Sequence, residues 1–352
     1  MSLPSTSSEE PTLTVTRRAG IIGLGMGVPP RVVTNDDLAQ QIETSDEWIR
    51  TRTGIRERRI TDSQTASSDL GFIAAKQALE DAQIAPEDID LILCATATGD
   101  YIWPATACVL QNALGATRSA AFDLSAACSG FCYGLATAAG FIQSGIMNRI
   151  LVVGVDTLTK HLDWTDRGTC ILFGDGAGAA VLAPVAPTEG ILSSVLGADG
   201  GGLESVWLPA GGTRTPVDQT TFTDAETLKQ THLQMKGKEV YEFAVKIVPE
   251  VVQQALDKAC LHPSDIALLV MHQANIRIIK SAAERFGIPM ERVVVNVDRY
   301  GNTSAGSIPI ALREAADQGR LHAGDVVVTV GFGAGLTWGA NVIRWSKEYT
   351  AK

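Results

Sequence analysis

The chain is poor in positive charge and in aromatic side chains. Among its 352 residues, 29 Lys and Arg stand against 39 Asp and Glu, and 6% are aromatic. A net charge of −10 without a long basic run disfavours nucleic acid as a partner. The chain also lacks a run of about 20 apolar residues, the length that a membrane-spanning helix requires. We therefore expect a soluble, cytoplasmic protein that binds neither nucleic acid nor membranes.

Cysteine is scarce, and its placement disfavours a metal site. The six cysteines lie mostly inside apolar runs, at positions 94, 108, 128, 132, 170 and 260. That distribution predicts free thiols in a reducing compartment. Cys128 and Cys132 are one helical turn apart, but no second Cys or His pair has the spacing of a zinc site. We expect no bound metal.

The length and the hydrophobic content predict two fused halves. A chain of 352 residues with 45% hydrophobic content can bury more core than one domain usually holds. We place the halves at residues 19–186 and 187–352, with a polar, Thr-rich loop insertion at 211–231. Residues 1–18 form a predicted disordered tail, because this Ser/Thr-rich stretch has no apolar core.

An internal duplication supports two halves. The segment that begins at Ala78 matches the segment that begins at Ala255, 177 residues later, and the match includes the following strand. A second match at a separation of 174 places Cys128 opposite Asn302. The first separation, 177, places Ala95 opposite His272. Strands alternate with helices in both halves, so we expect mixed sheets covered by helices, an α/β fold.

Three apolar runs, 150–155, 266–271 and 326–330, predict strands that are buried on both faces. The glycine pattern at 21–27 resembles a dinucleotide-binding loop, but Pro29 and Pro30 follow where a helix should begin. We interpret that segment as a strand and a turn.

Cys128 follows a predicted strand and precedes a small-residue helix over 130–144. Unpaired N–H groups and the positive dipole end favour a thiolate in the first turn of a helix. The small neighbours Ala126, Ala127 and Gly130 leave room for a thioester. The pattern fits a nucleophile, and it equally fits a small cysteine buried where two elements cross.

His272 and Asn302 are the candidate partners of Cys128. Together, an imidazole and an amide can hold one carbonyl oxygen and stabilise an enolate. The glycine run over 331–335 adds backbone N–H groups for an oxyanion hole. Structural alternatives remain: a histidine at a strand end, an Asn that caps a helix, and a tight turn between two strands.

A third cluster holds Trp48 with several arginines in a chain that has few aromatics. Trp48 could stack a planar ring while Arg52 or Arg56 meets a phosphate. The alternative is a solvated helix and loop.

These motifs together resemble the β-ketoacyl-acyl carrier protein synthase III family, condensing enzymes of the thiolase superfamily. The resemblance runs from about residue 19 to Trp345, on motifs at residues 45–58, 126–131, 173–178, 272–275, 301–306 and 331–339. It implies a thiolase-like, five-layered αβαβα fold of two duplicated halves. It also implies the start of type II fatty acid synthesis: an acyl-CoA, such as acetyl-CoA, acylates the enzyme, and decarboxylation of malonyl-acyl carrier protein drives the condensation.

The resemblance assigns a role to each matching position. It implies a catalytic triad of Cys128, His272 and Asn302, and an oxyanion hole from the backbone of Cys128 and Ala334. No cofactor is implied, because the coenzyme A thioester is a substrate. The resemblance further implies a coenzyme A site formed by Thr44, Trp48, Arg52, Arg167 and Asn275. It implies that Arg277 contacts the carrier protein. It also implies an acyl pocket, closed by the partner subunit of a homodimer, at Trp103, Phe173 and Phe332.

Three departures from the family pattern stand out. Glu242 and Glu284 replace basic carrier-docking residues, which would weaken the docking patch or shift it towards Lys236 or Lys238. Trp103 replaces a smaller aromatic residue, which points to a short primer. The loop at 211–231 is longer than usual, and it either covers the coenzyme A entrance or is a solvated insertion.

Other functions remain open from sequence. The same fold and triad could serve a polyketide or signalling pathway with another primer. A thiolase-fold hydrolase or acyltransferase would not decarboxylate malonyl groups, and a non-catalytic acyl-binding subunit would not need the triad. No Gly-x-Ser-x-Gly elbow occurs in the chain, which argues against a serine hydrolase.

Overall fold

The computed structural model describes residues 17–351. Most of the predicted tail, residues 1–16, lies outside the described residues. Arg18, which we assigned to that tail, already begins the first strand. Within the described range no helix is both long enough and apolar enough to span a bilayer.

Thirteen strands occur in the described range: β1 (Arg18–Gly27), β2 (Val32–Thr34), β3 (Glu57–Arg59), β4 (Leu91–Ala95), β5 (Ala120–Leu124), β6 (Ile150–Asp156), β7 (Gly176–Val185), β8 (Gly190–Ala198), β9 (Val206–Trp207), β10 (Gln234–Met235), β11 (Ile266–Met271), β12 (Val326–Gly333) and β13 (Thr337–Arg344). The α-helices of the same range are α1 (Asn35–Ala39), α2 (Asp46–Thr53), α3 (Ser67–Ala82), α4 (Thr106–Leu114), α5 (Gly130–Gln143), α6 (Ala225–Lys229), α7 (Gly237–Lys258), α8 (Ile276–Phe286), α9 (Val297–Tyr300) and α10 (Ser307–Asp317).

Two mixed sheets repeat one strand arrangement. The first has the order β1-β7-β6-β4-β5, and the second has the order β11-β12-β13-β8. In each sheet one parallel pair, β4 with β6 or β11 with β12, is followed by two antiparallel neighbours. The position equivalent to β5 in the second sheet is reduced to a single bridge between Leu269 and Val293. The glycine-patterned segment at 21–27 lies within β1, as predicted.

Five layers result from how the helices cover these sheets. Helices α5 and α10 lie between the sheets, because their apolar faces share one core cluster with strands of both. Helices α3 and α4 cover the outer face of the first sheet, whereas α7 and α8 cover the outer face of the second. The interior strands β4 and β6 are buried at every position, as continuous apolar runs predict. The predicted thiolase-like αβαβα fold is confirmed.

Around the two central helices, equivalent residues of the two halves have a different separation from the predicted one. Helix α5 begins at Gly130 and α10 at Ser307, 177 residues later, but α10 has 11 residues where α5 has 14. The shift from 177 to 174 is therefore a three-residue shortening inside the helix. The preceding turns, at Ala127 and Ser304, keep the larger separation, and both residues have left-handed φ angles, 46° and 48°.

Cys128 is consequently the counterpart of Ala305 and not of Asn302. The predicted pairing of Cys128 with Asn302 is wrong at the level of single residues. Cys128 lies between β5 and α5, whereas Asn302 lies between α9 and α10.

Candidate active site

Cys128 lies half-buried in the short turn between β5 and α5, beside a cavity of about 110 Å³. The end of β12 packs directly on this turn. A Cβ atom at Gly333 would lie 2.9 Å from the Cys128 Cβ and 3.2 Å from its Sγ. Glycine is required there because no side chain fits between the strand and the turn that carries Cys128.

Burial favours the protonated, neutral form of the Cys128 thiol. Burial raises its pKa to about 12, and the hydrogen bond from the Ser304 hydroxyl, 3.4 Å away, lowers it only in part. A rise from 9 to about 12 corresponds to about 4 kcal/mol, whereas a helix terminus contributes roughly 0.3–2 kcal/mol. Burial therefore opposes the predicted thiolate at the helix end, and the anionic state of Cys128 stays a prediction.

His272 follows β11 and is 1% exposed. Its backbone N–H donates to the Val330 carbonyl at 2.8 Å. Its ring packs edge-to-face with the Phe332 ring, and the two ring centres are 5.2 Å apart. Burial lowers the pKa of the imidazole to about 3, so the ring is neutral. Nδ1 lies 2.7 Å from the Ser307 hydroxyl, which leaves Nε2 as the nitrogen that can meet a ligand.

Asn302 is held by backbone bonds on both sides. Its N–H donates to Leu172 at 2.8 Å, and its carbonyl accepts from Gly174 at 3.0 Å. Its Oδ1 accepts the Ser304 N–H at 2.9 Å, which fixes the orientation of the amide. Nδ2 makes no hydrogen bond within residues 17–351, so both of its N–H groups remain available. This local bond leaves the donor side of the amide unused. Asn302 is not the N-cap of either helix that follows, because those N-caps are Thr303 and Gly306.

Ser304 connects the three candidate residues. Its hydroxyl reaches Cys128, its N–H bonds Asn302, and its carbonyl lies 3.0 Å from the Ser307 hydroxyl, which in turn contacts His272. Sequence reasoning placed Ser304 in the 301–306 motif but gave it no role.

Asp156 joins the two halves beneath the site, and sequence reasoning missed it. This carboxylate ends β6, is fully buried, and accepts the N–H groups of Ala97 and Thr98 from its own half at 2.8 and 3.1 Å. It also accepts the Ala305 N–H from the other half at 3.2 Å. Burial raises its pKa, and these hydrogen bonds oppose that rise. An acidic residue directly after an apolar run was the available signal.

The cavity beside Cys128 is mainly apolar. Of the positions predicted from sequence, Phe173 and Ala334 line the cavity. Phe332 does not line it and packs against the His272 ring instead. Its other walls are Ala97, Thr98, Ala127, Leu158, His161, Val206, Trp207, Leu208, Leu233 and Ser304. His161 is a polar wall residue that sequence reasoning did not find. Burial lowers its pKa, so it presents a neutral ring.

Trp48 lies against two guanidinium groups. The centre of its ring is 4.3 Å from Arg52 and 4.6 Å from Arg167, and Arg167 also donates to the Glu43 carbonyl. A flat ring needs about 3.5–4.0 Å on each face. A planar ligand can therefore enter between Trp48 and Arg167 only if the arginine moves. The predicted sandwich stays a prediction.

Asn275 and Arg277 fasten α8 to the end of α2. The Asn275 Oδ1 accepts the Arg277 N–H at the start of α8, and its Nδ2 donates to the Arg52 carbonyl. Arg277 donates to the Thr51 carbonyl at 3.0 Å. Thr44 has a buried hydroxyl that finds no partner among the described residues. The ligand roles of Thr44, Asn275 and Arg277 stay predictions.

Trp103 does not reach the cavity within one chain. Its side chain is 79% exposed, next to the exposed Tyr101 and Ile102. Glu242 forms an ion pair with Lys238 at 3.8 Å, and Lys236 forms one with Glu204 at 3.4 Å. Both lysines proposed for a shifted docking patch are thus partly neutralised. The 211–231 insertion contains α6 and a short 3₁₀ turn, and most of its described side chains are exposed.

Comparison with known proteins gives one consistent family. Family models match at residues 122–200, "3-Oxoacyl-[acyl-carrier-protein (ACP)] synthase III", and at residues 256–345, the C-terminal part of the same family. The chain is similar to beta-ketoacyl-[acyl-carrier-protein] synthase III of Symbiobacterium thermophilum, with 56% identity over 94% of this chain and 99% of the relative.

Solved structures agree. The enzyme of this name from Pseudomonas aeruginosa PAO1 superimposes with a TM-score of 0.87 at 41% identity, over 95% of this chain and all of that one. The priming β-ketosynthase of the R1128 polyketide pathway also superimposes with a TM-score of 0.87, at 35% identity over 96% of this chain and all of that one. With this near-complete coverage at more than 50% identity to a named relative, the chain belongs to the β-ketoacyl-acyl carrier protein synthase III family, condensing enzymes that act as acyltransferases.

Proposed function

We propose that this chain condenses a short acyl-CoA with malonyl-acyl carrier protein, through an acyl-enzyme on Cys128. In the first half-reaction the Cys128 proton passes to Nε2 of His272, and the sulfur attacks the thioester carbonyl. The N–H groups of Cys128 and Ala334 bind the oxyanion. The bond from the acyl carbon to the coenzyme A sulfur then breaks, and the leaving thiolate takes the proton from Nε2.

In the second half-reaction the malonyl thioester oxygen accepts hydrogen bonds from Nε2 of His272 and Nδ2 of Asn302. Loss of CO₂ leaves an enolate whose negative charge these donors stabilise. Its carbon attacks the acyl group on Cys128, which yields a 3-oxoacyl-acyl carrier protein. The sulfur leaves as a thiolate and takes a proton from water.

The observation that carries this proposal is the network through Ser304. It contacts Cys128 and Asn302 directly and reaches His272 through Ser307, so three groups from separate turns are held together. The free Nδ2 of Asn302 and the free Nε2 of His272 are the two donors that the enolate needs.

The primer is short, and acetyl is the proposed group. The cavity beside Cys128 is small, about 110 Å³, and an acetyl group has only three heavy atoms. Trp103 supports the same size if it closes the pocket of a partner subunit.

We further propose a cytoplasmic homodimer. The exposed Tyr101, Ile102 and Trp103 lie in the segment after β4, and β5 is an unpaired edge of the first sheet. All six cysteines are free thiols, which suits a reducing compartment. Sedimentation equilibrium of the full chain should give twice the mass of one chain, and a monomer at micromolar concentration would contradict the dimer.

The test separates the half-reactions. Purified enzyme is incubated with acetyl-CoA, and intact mass spectrometry should show one added acetyl group on the peptide that contains Cys128. Addition of malonyl-acyl carrier protein should remove that group and release CO₂. Cys128→Ser should form no adduct, because a hydroxyl is far less nucleophilic than a thiolate at neutral pH. An enzyme that acylates but never releases CO₂ would be a simple acyltransferase or hydrolase.

A second candidate is the priming step of a polyketide pathway, favoured by the structural likeness to the R1128 priming ketosynthase. Parallel assays with acetyl-, longer and branched acyl-CoA decide between them. A clear preference for a primer longer than four carbons would favour the second candidate.

A further inference from the structure

Ser307, the first residue of α10, contacts the catalytic histidine from behind. It is 1% exposed, and its hydroxyl oxygen lies 2.7 Å from Nδ1 of His272. The same oxygen lies 3.0 Å from the Ser304 carbonyl oxygen and 3.3 Å from the backbone nitrogen of Gln273. The Gln273 N–H can only donate, so the Ser307 oxygen accepts from it in every arrangement.

The single hydroxyl proton of Ser307 has two acceptors within reach. It can point to the Ser304 carbonyl or to Nδ1 of His272. The Ser304 carbonyl also accepts the backbone N–H of Ser307. When the hydroxyl rotates towards Nδ1, the Ser304 carbonyl therefore still has a hydrogen-bond donor. Neither arrangement leaves a buried polar atom of Ser304, Ser307 or His272 Nδ1 unpaired, so neither carries that free-energy cost.

Each arrangement fixes one tautomer of His272. When the hydroxyl donates to Ser304, Nδ1 must carry a proton and donate to Ser307, so Nε2 presents a lone pair. When the hydroxyl donates to Nδ1, that nitrogen has no proton, so Nε2 carries an N–H. The nitrogen that hydrogen-bonds behind the ring decides what the other nitrogen offers to the ligand.

The two half-reactions of the proposed function need these two forms. Acylation needs an Nε2 lone pair to receive the Cys128 proton, whereas decarboxylation needs an Nε2–H to bind the enolate oxygen. We propose that Ser307 is a positioning residue whose hydroxyl rotates between Ser304 and His272, so that one imidazole serves as base in the first half-reaction and as hydrogen-bond donor in the second.

This inference rests on the proposed function, and the exchange of tautomers that it requires conserves the number of protons. Exchange of tautomers removes one proton from Nδ1 and adds one to Nε2, with water as the carrier, and no net proton is consumed. Ser307 itself keeps its proton throughout and changes only the direction of its O–H bond.

The direct test is ¹⁵N NMR of the histidine rings in the full-length enzyme. The chain has five histidines, so the signals of His272 are assigned by their absence from His272→Asn. The free wild-type enzyme should show the Nδ1–H tautomer. Saturation with a malonyl-pantetheine amide analogue, which retains the carbonyl oxygen, should convert His272 to the Nε2–H tautomer. The same tautomer in both states overturns the proposal.

Kinetics on three variants provide the second test. Ser307→Ala removes the hydroxyl and should slow both acetylation and decarboxylation about 10- to 100-fold, as loss of one partner of a buried group does. Ser307→Thr keeps a hydroxyl and should recover most of the rate. Ser193→Ala is the control, because Ser193 is also a buried serine, 9% exposed, whose hydroxyl donates to a backbone carbonyl, that of Ala255 in α7.

The outcomes separate this inference from the proposed function. If wild-type enzyme releases no CO₂, the proposed function fails. If wild-type enzyme releases CO₂ but Ser307→Ala keeps both rates, or slows only one half-reaction, the role of Ser307 is wrong while the function stands.

Discussion

The backbone N–H of Ala305 donates to the buried carboxylate of Asp156 at 3.2 Å, so a side chain of the first half holds the turn of the second. Ala305 is the repeat counterpart of Cys128. The packing is tight on this side too, since a Cβ at Gly154 would lie 2.3 Å from the Ala305 carbonyl oxygen. The turns that carry Cys128 and Asn302 thus keep a fixed relative position in a core shared by both halves.

We expect Asp156→Asn to destabilise the protein and to slow acylation. In the native protein the carboxylate oxygens of Asp156 accept from backbone N–H groups. An Asn amide would turn its own N–H groups towards some of these donors, and the buried donors left unpaired would lower the free energy of unfolding by about 1–3 kcal/mol. Urea unfolding followed by circular dichroism measures this change. Asp88→Asn is the control, because its ion pair with Arg149 is at the surface and should be worth less than about 1 kcal/mol. Equal effects of the two substitutions would contradict the role of Asp156.

Gly333→Ala should lower activity much more than stability. The added methyl group would lie 2.9 Å from the Cys128 Cβ and would displace the turn that carries Cys128. We expect at least a 100-fold lower acylation rate, since small misplacements at a reacting centre cost about that much. Gly140→Ala in α5 is the control, because its Cβ meets no atom within 4 Å, and it should retain activity and gain up to about 1 kcal/mol. Wild-type acylation by Gly333→Ala would show that the contact is relaxed in solution.

The pH dependence of thiol alkylation tests the protonation state of Cys128. Because its pKa is raised to about 12, the thiolate fraction in the free enzyme should grow about tenfold for each pH unit from pH 6 to pH 10. Iodoacetamide labelling of the Cys128 peptide, followed by mass spectrometry, gives this rate. Exposed Cys260 supplies an internal comparison in the same samples. A plateau near pH 7 would instead mean that the helix terminus stabilises a thiolate after all.

Asn302→Ala should separate the half-reactions. The Nδ2 donors face only the second carbonyl in the proposed mechanism, so acetylation of Cys128 should stay within about threefold of wild type. Decarboxylation should fall about 100- to 1,000-fold, the usual loss for one oxyanion donor. Quenched-flow mass spectrometry gives the first rate, and trapping of ¹⁴CO₂ from labelled malonyl-acyl carrier protein gives the second. Equal losses would indicate that Asn302 only supports the fold.

Arg167→Ala should weaken coenzyme A binding with little effect on the chemical step. Arg167 lies 4.6 Å from the centre of the Trp48 ring, and it is the proposed second face for the adenine. We expect KM for acetyl-CoA to rise about 2- to 5-fold at unchanged kcat, the size of one cation–π contact at an exposed site. Arg50→Ala is the control, since Arg50 lies on α2 together with Trp48 and pairs with Asp46. A lower KM would mean that Arg167 obstructs the site and that its removal frees Trp48.

Local patterns predicted the elements around the site well. The run at 266–271 became β11 without any shift, and the run at 150–155 became β6 with Asp156 added. Both are strands buried on two faces, where a continuous apolar run leaves little ambiguity. The helix predicted over 130–144 ends at Gln143, one residue early, before the glycine at 145.

The residue pairing between the halves was harder to predict. A three-residue deletion within a helix removes nearly one full turn of 3.6 residues, so the apolar face stays in register. The change of separation is invisible to periodicity, and only the bounds of α5 and α10 locate it.

By itself the sequence determined the fold class, the duplicated halves and the family, because strand patterns and short motifs are local properties of the chain. It also nominated Cys128, His272 and Asn302 as the candidate catalytic residues. Only the tertiary structure decided that burial raises the pKa of the Cys128 thiol, that Asp156 bonds both halves and that Ser304 and Ser307 connect the three residues. Those properties depend on burial and on hydrogen bonds between segments up to 176 residues apart, such as Cys128 and Ser304. Desolvation of a group is set by everything that packs around it, and no single segment carries that information.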